Sequence, residues 1–570
     1  MSNARALPIR QYRYQLAGKL RLLSALHIGT VGGDLDSDAP VIRDGMGRLI
    51  IPGTSLAGAI RSQLTGGFAS DAERDSHELL GQTLWGGSDD GDTASLVVVD
   101  DAVIVGDYAV EVRQGVSIER FHGVAADGNL FSRELIAEGA TFDFSLAIEA
   151  DEQTKDAALE LACLIREVLG ASELAIGAST SSGTGRVRLD SATLRLRDFS
   201  SLEGITRAVL ESGLGIAMGS EPSNDDASRL DVGRPRPGVL RISMLWRPLG
   251  PLLSSVRMVG GVVDTFPLTT STAAGVRLIY PGTSIKGVFR SNAERAVRTL
   301  SMTPLPDQGG VLAQLKADFL DPIGDLFGLA GDKDGDGRSG VLAFHDALSS
   351  QVIPFDQWNE IRFRGGASSA SKEEKNEALR AIARDVTELN RILAENYSDD
   401  SLWFDVAVRN AIDRWTGGAA DSALYTSIEP YAASAKTWEP LVIDIDWALL
   451  MRRYSRDDLN DFRIPLAALA LVLLMLRDVV EGWVNFGSGV TRGLGSVEIE
   501  AGNVRFQNGP LGDGTVDEAL GLQRLDNKSL AEVWAADDGS DISRLLEDLE
   551  TAWVKTMAVN HNNLNEHGAS

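Results

Sequence analysis

The chain contains an internal repeat, which constrains its fold more than any other feature of the sequence. Residues 51–62 read IPGTSLAGAIRS and residues 280–291 read YPGTSIKGVFRS, with seven of the twelve positions identical. Such a repeat indicates that one structural unit occurs twice in the chain. The length of 570 residues agrees, because a single hydrophobic core stops growing at about 250–300 residues. The sequence therefore predicts two related domains.

Four further landmarks follow this motif in the same order in both halves. They are Leu-Trp-Gly or Leu-Phe-Gly, an Asp-Ala pair, Ile-Glu-Arg or Ile-Asp-Arg, and a loop with three glycines. Their copies begin at Leu84 and Leu326, Asp101 and Asp346, Ile118 and Ile412, and Gly177 and Gly487. The distance between equivalent positions grows from 229 to 310 residues, so we expect insertions in the second copy.

The segment between the copies, residues 219–238, is rich in Gly, Pro, Ser and charged residues and has no apolar period. This composition predicts a linker between a first domain at 1–218 and a second at 239–505. Residues 506–570 fall outside the repeat and are acidic. We expect an extension there with one or two helices, one of them marked by an amphipathic pattern over 543–557, and a disordered end.

Within each copy, the elements read strand, loop, helix, strands, helix, strand. Helices are predicted for 56–64 and 154–169 in the first copy and for 285–297 and 465–480 in the second. This order is typical of a ferredoxin-like sandwich, so the predicted fold class is α+β with two tandem domains. The apolar run 465–476 is shorter than the roughly 20 residues of a membrane span and indicates a buried helix.

Composition excludes several classes of protein. One cysteine, Cys163, rules out an intramolecular disulfide framework and a cysteine-built zinc site. The first residues lack the apolar stretch of a signal peptide, so we expect a cytoplasmic protein with no membrane association. The net charge of −27 argues against attraction of the whole protein to a polyanion. Any nucleic-acid site must therefore be locally basic.

Two of the repeated elements have the chemistry of a phosphate site. The Pro-Gly-Thr-Ser turn opens a helix, so we expect free N–H groups and the positive end of the helix dipole to face outward; a plain capped helix is the alternative. The three-glycine loops permit a phosphodiester to approach the backbone closely, or they form only tight turns. The candidates here are Ser55, Arg61, Gly183, Gly185 and Arg186, and in the second copy Ser284, Lys286, Arg290, Arg492, Gly493 and Gly495.

An acidic loop follows the first predicted strand of each copy. Asp38 and Asp264 both stand shortly before a proline, and the first loop adds Asp34 and Asp36. A carboxylate in both copies suggests a shared role as a divalent metal ligand or a general acid–base; a solvated turn aspartate is the alternative. His27 precedes this loop in the first copy only.

Taken in order, these motifs resemble those of the RAMP superfamily of CRISPR-associated proteins, and most of all the Cas-seven-type backbone subunits of type III effector complexes. Two such domains in one chain resemble the tandem backbone fusions of type III-D systems. The matching segments are LHIG at 26–29, PVIRD at 40–44, IPGTS at 51–55, LWG at 84–86 and AADGNLF at 125–131, then PGTSIKG at 281–287, LFG at 326–328, RNAIDR at 409–414 and the loop 487–495.

The resemblance implies that each domain has an RRM-like core that holds CRISPR RNA. It also implies a hairpin thumb inserted between bases of the guide–target duplex, and residues 118–131 and 412–425 are similar to that thumb. His27, Arg120 and Arg414 thereby join the RNA-binding candidates. Other type III CRISPR subunits are the expected protein partners.

In the same family, an aspartate in the loop after the first strand serves metal-dependent cleavage of target RNA. By position, Asp38 and Asp264 match it, which makes them the catalytic and metal-binding candidates, with Mg²⁺ or another divalent metal as cofactor. The expected chemistry is attack of the 2′-OH on the adjacent phosphate, which requires an RNA target.

Two hypotheses of different classes follow. One is an RNA-guided endoribonuclease with up to two cutting sites, and the other is a non-catalytic scaffold that binds guide RNA. An aspartate in both loops favours the enzyme, although the loop around Asp264 matches the family less well than the loop around Asp38. A guide-processing nuclease is disfavoured because histidine is scarce, with six in the chain. A generic RRM-type RNA-binding protein is disfavoured because neither copy has the aromatic strand motif on which bases stack.

Overall fold

A computed structural model describes the chain at residues 10–30, 37–65, 85, 94–120, 122–171, 174–210, 216–217, 238–257, 261–272, 274–305, 314, 322–329, 337–367, 371–455, 463–507, 522–537 and 539–567. The predicted linker, apart from Gly238, lies outside these residues, as do Asp34 and Asp36. The domain boundaries therefore stay predictions.

The first domain is built on an antiparallel sheet of eight strands, several of them very short, with helices packed on it. Its strands are β1 (Tyr12–Leu22), β2 (Val97–Val99), β3 (Ala102–Val105), β4 (Val110–Ile118), β5 (Ala125–Ile136), β6 (Thr141–Ala150) and β7 (Arg186–Asp198), and its helices are α1 (Gly53–Thr65), α2 (Lys155–Ala171) and α3 (Leu202–Leu210). Strands β7, β1, β6 and β3 lie side by side in that order. Strands β4 and β5 form a separate ladder, called here the first hairpin.

The second domain repeats this arrangement. Its strands are β8 (Val239–Pro248), β9 (Leu342–Phe344), β10 (Leu402–Ile412), β11 (Ala419–Ala432), β12 (Leu441–Asp446) and β13 (Val497–Gln507), and its helices are α4 (Gly282–Ser301), α5 (Phe355–Gly366), α6 (Lys372–Tyr397), α7 (Trp447–Ser455), α8 (Arg463–Val480), α9 (Leu530–Trp534) and α10 (Asp541–His567). Strands β13, β8, β12 and β9 lie side by side, all antiparallel. Strands β10 and β11 form the second hairpin. The shared strand order confirms the α+β class and the tandem duplication.

Shorter elements connect these parts. The short strands are Ile50–Ile51, Leu174–Ala175, Ile216–Ala217, Ser255–Arg257, Thr265–Pro267, Thr269–Ser271, Val276–Tyr280, Gly328–Leu329, Arg338–Ser339, Ala347–Leu348 and Lys528–Ser529, and Ile323–Phe327 is a short helix. The pairing of β1 with β7 shifts register between Ala17 and Lys19, and the pairing of β8 with β13 shifts register between Leu245 and Trp246. Each shift adds local twist at an equivalent place.

Each domain has its own hydrophobic core, because one face of each sheet is covered by its helices. In the first domain, Leu161 and Ile165 of α2 pack against the sheet with Leu56 of α1. In the second, the apolar run of α8 is buried nearly all round, since β13 lies on one side and α10 on another. The predicted buried helix at 465–480 is thus confirmed. Among the described helices, none is long and apolar enough to cross a membrane.

The acidic C-terminal region is part of the second core. Helix α10 packs against α8 and α4, and its residues Leu545, Leu549 and Met557 are buried there. The predicted amphipathic pattern at 543–557 therefore marks a real helix, and its apolar face has a partner within the chain. The extension completes the helical layer of the second domain.

The expected insertion in the second copy contains α5 and α6. Helix α6 packs against β10, where the Asn390 side chain exchanges two hydrogen bonds of 2.8 Å with the backbone of Phe404. The end of α5 reaches the acidic loop, since the Val263 N–H donates to the Gly365 carbonyl at 3.0 Å. The insertion thus braces both the second hairpin and the loop that carries Asp264.

Replacing Leu549 by alanine tests whether α10 belongs to this core. Leu549 is 2% exposed, and a buried Leu→Ala change leaves a cavity that costs about 2–4 kcal/mol of unfolding free energy. Val554→Ala on the same helix is the control, because Val554 is 59% exposed. Chemical denaturation of the two variants should separate them, and equal stabilities would contradict the packing of α10.

Candidate nucleic-acid interface

Asp38 lies beside the first hairpin and is held by one residue of β5. Its Oδ2 atom accepts hydrogen bonds from the Ser132 backbone N–H at 2.7 Å and from the Ser132 hydroxyl at 2.8 Å. These donors lower the pKa of Asp38 because they stabilise the ionised carboxylate. Asp38 is exposed, so a charged carboxylate faces solvent at the side of the hairpin.

Asp264 occupies the equivalent position in the second domain. Its Oδ2 atom accepts the Thr426 backbone N–H at 2.7 Å, and its own N–H donates to the Thr426 carbonyl at 2.9 Å. Thr426 lies on β11, as Ser132 lies on β5. The Thr426 hydroxyl is buried without a hydrogen-bond partner in the described part of the chain, so it does not support Asp264 as the Ser132 hydroxyl supports Asp38. The repeat places one aspartate against the same strand of each hairpin.

Each hairpin carries an aromatic residue directly before the residue that holds the aspartate. The Arg133 guanidinium lies 5.7 Å from the centre of the Phe131 ring. In the second hairpin, the Arg492 guanidinium lies 5.2 Å from the centre of the Tyr425 ring. Aromatic faces and guanidinium planes are the surfaces on which RNA bases stack. In both domains, the hairpin strand that holds the aspartate thus also carries an aromatic ring contacted by an arginine.

The glycine loops lie beside these hairpins. Arg133 donates a hydrogen bond to Ser179 of the first glycine loop (177–185), and Arg492 itself belongs to the second glycine loop (487–495). The last glycines of the loops are required for packing, because a Cβ at Gly185 or Gly495 would lie 1.8 Å from a carbonyl oxygen of the same domain. The predicted candidates Gly185 and Gly495 are thus buried supports of the loops.

The two loops differ in what covers them. At Gly183 in the first loop, a Cβ would lie 2.6 Å from the Phe344 carbonyl oxygen of the second domain. At Gly493 in the second loop, no described atom lies within 4 Å of that position, although both glycines have φ of +81°. The first loop is therefore packed between the domains, whereas the second is open.

The prediction of free N–H groups at the start of the two motif helices, α1 and α4, is wrong for their first residues. The Gly53 N–H donates to the Asp101 carboxylate at 2.7 Å, and the Gly282 N–H donates to the Asp346 carboxylate at 2.8 Å. These carboxylates satisfy the helix ends and repel a phosphate. The turns are capped helix starts, the alternative reading. The serine N–H groups are also occupied, each by the carbonyl of the proline three residues earlier, at Ser55 and Ser284.

Two predicted RNA-binding arginines instead share a carboxylate at the contact between the domains. The Arg120 Nε donates to Glu294 Oε2 at 2.8 Å, and the Arg290 Nε donates to Glu294 Oε1 at 2.7 Å. The side chains of Arg120 and Glu294 are only 13% and 4% exposed. The Arg120 backbone N–H also donates to Gln314 at 2.9 Å. The structure assigns both arginines to the domain contact.

Lys286 also lies in this contact. Its Nζ donates to the Ser181 hydroxyl of the first glycine loop at 2.8 Å. Burial, helped by the nearby Arg290 charge, lowers the pKa of Lys286 to about 8. The second motif helix therefore binds the first glycine loop at the position where a phosphate was predicted.

Arg186 is bound in a buried chain of polar groups. It donates to His345 Nδ1 at 2.8 Å, and His345 Nε2 lies 2.9 Å from Asp444 Oδ2. Burial and the Arg186 charge lower the pKa of His345, so its ring is neutral and relays hydrogen bonds between the two. Arg241 holds the same Asp444 with two bonds of 2.7 Å. This predicted phosphate contact is part of the domain contact.

His27 is a structural residue. It is 4% exposed, and its Nδ1 lies 2.8 Å from the Glu134 carbonyl oxygen. Burial lowers the pKa of His27 because the charged ring would lose its hydration. As placed, His27 has no surface to offer an RNA. Of the other predicted cations, Arg61, Arg414 and Arg492 are exposed.

The described residues offer few metal donors. They contain no group of three His, Cys, Asp or Glu side chains arranged to hold a metal ion. Each candidate site presents one carboxylate, from Asp38 or Asp264. Magnesium is commonly bound by one or two carboxylates together with substrate phosphates and water. A single aspartate per site fits a metal that binds together with RNA.

Several residues that shape the site were not predicted from the sequence. The repeated Asp-Ala pair was visible as a landmark, but its role as the cap of the motif helix was not predicted. A second signal was present in the aromatic–hydroxyl pairs at 131–132 and 425–426. Glu294 had no counterpart in the first copy, so the repeat did not mark it.

Replacing Ser132 by alanine tests the hydrogen bonds to Asp38. The variant loses the hydroxyl donor but keeps the backbone N–H, so we expect the pKa of Asp38 to rise toward its ordinary value. The pKa is lowered in the folded protein, so this contact stabilises the fold above the ordinary carboxyl pKa, and that stabilisation is lost as the pH falls through the lowered value. A carboxyl-selective NMR titration measures the change. Ser132→Thr should keep the low pKa, and an unchanged pKa in the alanine variant would contradict the assignment.

Removing Glu294 should destabilise the domain contact more than removing Arg120. Glu294→Ala leaves two close arginines without their carboxylate, which costs about 3–5 kcal/mol for a buried pair. Arg120→Ala leaves Glu294 paired with Arg290, so its cost is that of one charged hydrogen bond, about 1.5–3 kcal/mol. Chemical denaturation and hydrogen exchange of the first hairpin measure both losses of stability. A larger loss for Arg120→Ala than for Glu294→Ala would contradict the role of Glu294 as a shared carboxylate.

Several known proteins are similar to this chain. Over 224 residues it is 27% identical to the CRISPR system Cms endoribonuclease Csm3 of Methanocaldococcus jannaschii, covering 35% of this chain and 86% of that protein. The Csm3 of Streptococcus thermophilus is 27% identical over 31% of this chain and 87% of its own length. The Csm3 of Mycobacterium tuberculosis is 32% identical over 24% of this chain and 64% of its own length.

A chain of the type III-B Cmr-beta complex in its apo state is 15% identical, covers 31% of this chain and 96% of its own, and has a TM-score of 0.26; the family assignment does not rest on it. The sequence profile of the RAMP superfamily matches residues 19–188 and 267–498, one region in each of the two sheet domains. Since these regions make up more than half of the sequence, the chain belongs to the RAMP superfamily.

Proposed function

We propose that this chain is a backbone subunit of a type III CRISPR effector complex, that it binds CRISPR RNA, and that it cleaves complementary target RNA at two places. The names of the Csm3 relatives support endoribonuclease activity at a coarse level. The observation that carries the two-site proposal is the equivalent placement of Asp38 and Asp264. Each carboxylate accepts the N–H of one residue on the second strand of its hairpin.

The proposed reaction is an attack of the target 2′-OH on the adjacent phosphorus. A bond forms between the 2′ oxygen and phosphorus, the bond to the 5′ oxygen breaks, and the products are a 2′,3′-cyclic phosphate and a 5′-OH that takes up a proton. In-line attack requires the backbone to be distorted. Phe131 and Tyr425, which lie on the strands that hold the aspartates, are suited to stack on an unpaired base.

The lowered pKa of Asp38 bears on its role. A carboxylate that stays ionised well below neutral pH is a weak proton acceptor but a good ligand for a cation. Asp38 and Asp264 would hold Mg²⁺ or a similar ion together with the target phosphate. Bound there, the ion would supply positive charge to the phosphate as it is attacked.

The contact between the domains supports the backbone role. The first glycine loop of one domain packs against the motif helix of the next, so two different surfaces meet. Such a head-to-tail contact between two domains uses one surface of each kind and leaves the other surface of each domain for a further contact. A chain built in this way is suited to a linear row of RAMP-type domains along a guide RNA.

The non-catalytic scaffold is the second candidate, and one observation favours it. Both aspartates bridge the acidic loop to the hairpin, which is a structural task that needs no chemistry. In that case, loss of the carboxylate would loosen the hairpin without removing a cleavage step. The two candidates are separated by variants that keep the bridge and remove the charge.

Asp38→Asn and Asp264→Asn are those variants, because the amide oxygen still accepts the hairpin N–H. In the assembled complex with guide RNA and Mg²⁺, we expect each variant to lose one product band from labelled target RNA, with that cleavage slowed by 100-fold or more. The band of the intact site serves as the internal control. Guide RNA binding should stay unchanged.

An unaltered band pattern in the double asparagine variant would exclude the enzyme and favour the scaffold. A DNA target should stay uncut in the unmodified complex, because it lacks the 2′-OH. Cleavage of DNA at the same positions would contradict the proposed nucleophile.

A further inference from the structure

The two hairpin tips, at 118–120 with 122–124 and at 412–418, are closed by the same two backbone hydrogen bonds. In the first, the Glu119 N–H donates to the carbonyl five residues on at 2.8 Å, and the Gly123 N–H returns to the Glu119 carbonyl at 3.0 Å. In the second, the Asp413 N–H and the Gly417 N–H make the same two bonds, both at 2.8 Å. Arg120 directly follows Glu119 and Arg414 directly follows Asp413, so the two arginines occupy equivalent positions in the two turns.

The first tip contacts protein. Arg120 pairs with Glu294 on the second motif helix and is 13% exposed, while the first glycine loop packs against the same domain. The strands of the first hairpin also bind the second domain: the Arg113 guanidinium donates a hydrogen bond to the Asp346 carboxylate at 2.9 Å. The structure therefore contains one complete example of how a tip and a glycine loop bind a RAMP-type domain.

The equivalent surface on the second domain is open. Arg414 is exposed and Trp415 is 96% exposed on the rigid turn that Asp413 closes. The glycine-loop helical turn Val490–Arg492 has no buried residue, and a Cβ at Gly493 would meet no described atom within 4 Å. Tryptophan and arginine dominate binding energy at protein interfaces. This open surface of tip and loop is called here the outer face.

We propose that the outer face binds the motif helix of a RAMP-type domain on a different chain, with Arg414 paired to a carboxylate at the position of Glu294. This rests on the proposed function as a backbone subunit. Glu294 stands thirteen residues after Pro281, the proline of its Pro-Gly-Thr-Ser turn. The partner is therefore expected to carry Asp or Glu thirteen residues after the proline of its own turn.

A second copy of this chain does not fit that description. The first motif helix, Gly53–Thr65, has the sequence GTSLAGAIRSQLT and contains no acidic residue. At the position of Glu294, counted from its own proline, it has Thr65. The missing carboxylate disfavours a homopolymer and favours one fixed neighbour. Specificity of this kind arises when the wrong partner leaves a charge unpaired.

A photocrosslink from Trp415 tests this proposal. The full-length chain with p-benzoylphenylalanine at position 415 is co-expressed with the other subunits of its effector complex and guide RNA, then irradiated and digested. We expect a crosslink to a peptide of another RAMP-type chain that follows a Pro-Gly turn and carries the predicted acidic residue. The same group at position 181, where the Ser181 hydroxyl accepts a hydrogen bond from Lys286 of the second motif helix, should crosslink within the chain and serves as the positive control.

Three outcomes overturn the proposal: a crosslink to RNA, a crosslink to the 53–65 segment of a second copy, or no crosslink at position 415 when the position 181 control succeeds. Arg414→Glu is the second variant, with an expected loss of affinity for the neighbouring subunit of about thirtyfold, typical of an interface hot spot. Charge reversal of the identified acidic residue should restore binding. Arg384→Glu, an exposed arginine on α6, is the matched control and should bind normally.

Target cleavage measured on the same complexes separates this proposal from the proposed function. Loss of cleavage only in the asparagine variants, with a crosslink to RNA at position 415, would retain the nuclease and reject the outer face. A crosslink to the predicted helix in a complex that cleaves no RNA would retain the outer face as a protein-binding surface and reject the nuclease.

Discussion

The carboxylate of Asp346 is the interaction on which the arrangement of the two domains depends. One oxygen accepts the first N–H of the second motif helix at 2.8 Å, and the other binds Arg113 of the first hairpin at 2.9 Å. Asp346 and Arg113 are nearly buried, and without the Asp346 charge the desolvated Arg113 would keep only the more distant Glu111, at 3.5 Å, among its ion partners in the described residues. In the first domain, the equivalent Asp101 caps the first motif helix. The same side chain that completes a local structure in one copy thus joins two domains in the other.

This joint explains why equivalent residues of the two copies do different things. It brings the first glycine loop, Arg120 and Arg186 against the second domain, so groups that would suit a phosphate are neutralised by protein. The counterparts of the loop and of Arg120 are the helical turn Val490–Arg492 and Arg414, and neither is buried. In agreement with the acidic composition, many of the described arginines pair with carboxylates of the same chain, as Arg13, Arg113, Arg120 and Arg241 do.

The bridge from the acidic loop to the hairpin is the feature that the copies share. It holds each aspartate against the hairpin strand that also carries an aromatic ring contacted by a guanidinium. The copies differ in the hydroxyl, which binds Asp38 in the first domain and has no partner in the second within the described residues. The first aspartate is therefore held more firmly, in agreement with its better match to the family motifs.

The sequence by itself determined the duplication, the α+β class, the order of strands and helices, and the two aspartates, because these depend on local periodicity and on motifs that recur within the chain. Only the tertiary structure decided which cations are free. The partner of Arg120 is 174 residues away, and nothing in the pattern around either residue distinguishes an ion pair from an exposed charge. The capped motif helices illustrate the same point: the aspartate that accepts each N–H lies in a connection between two strands, 48 or 64 residues further along the chain, and only folding brings it there.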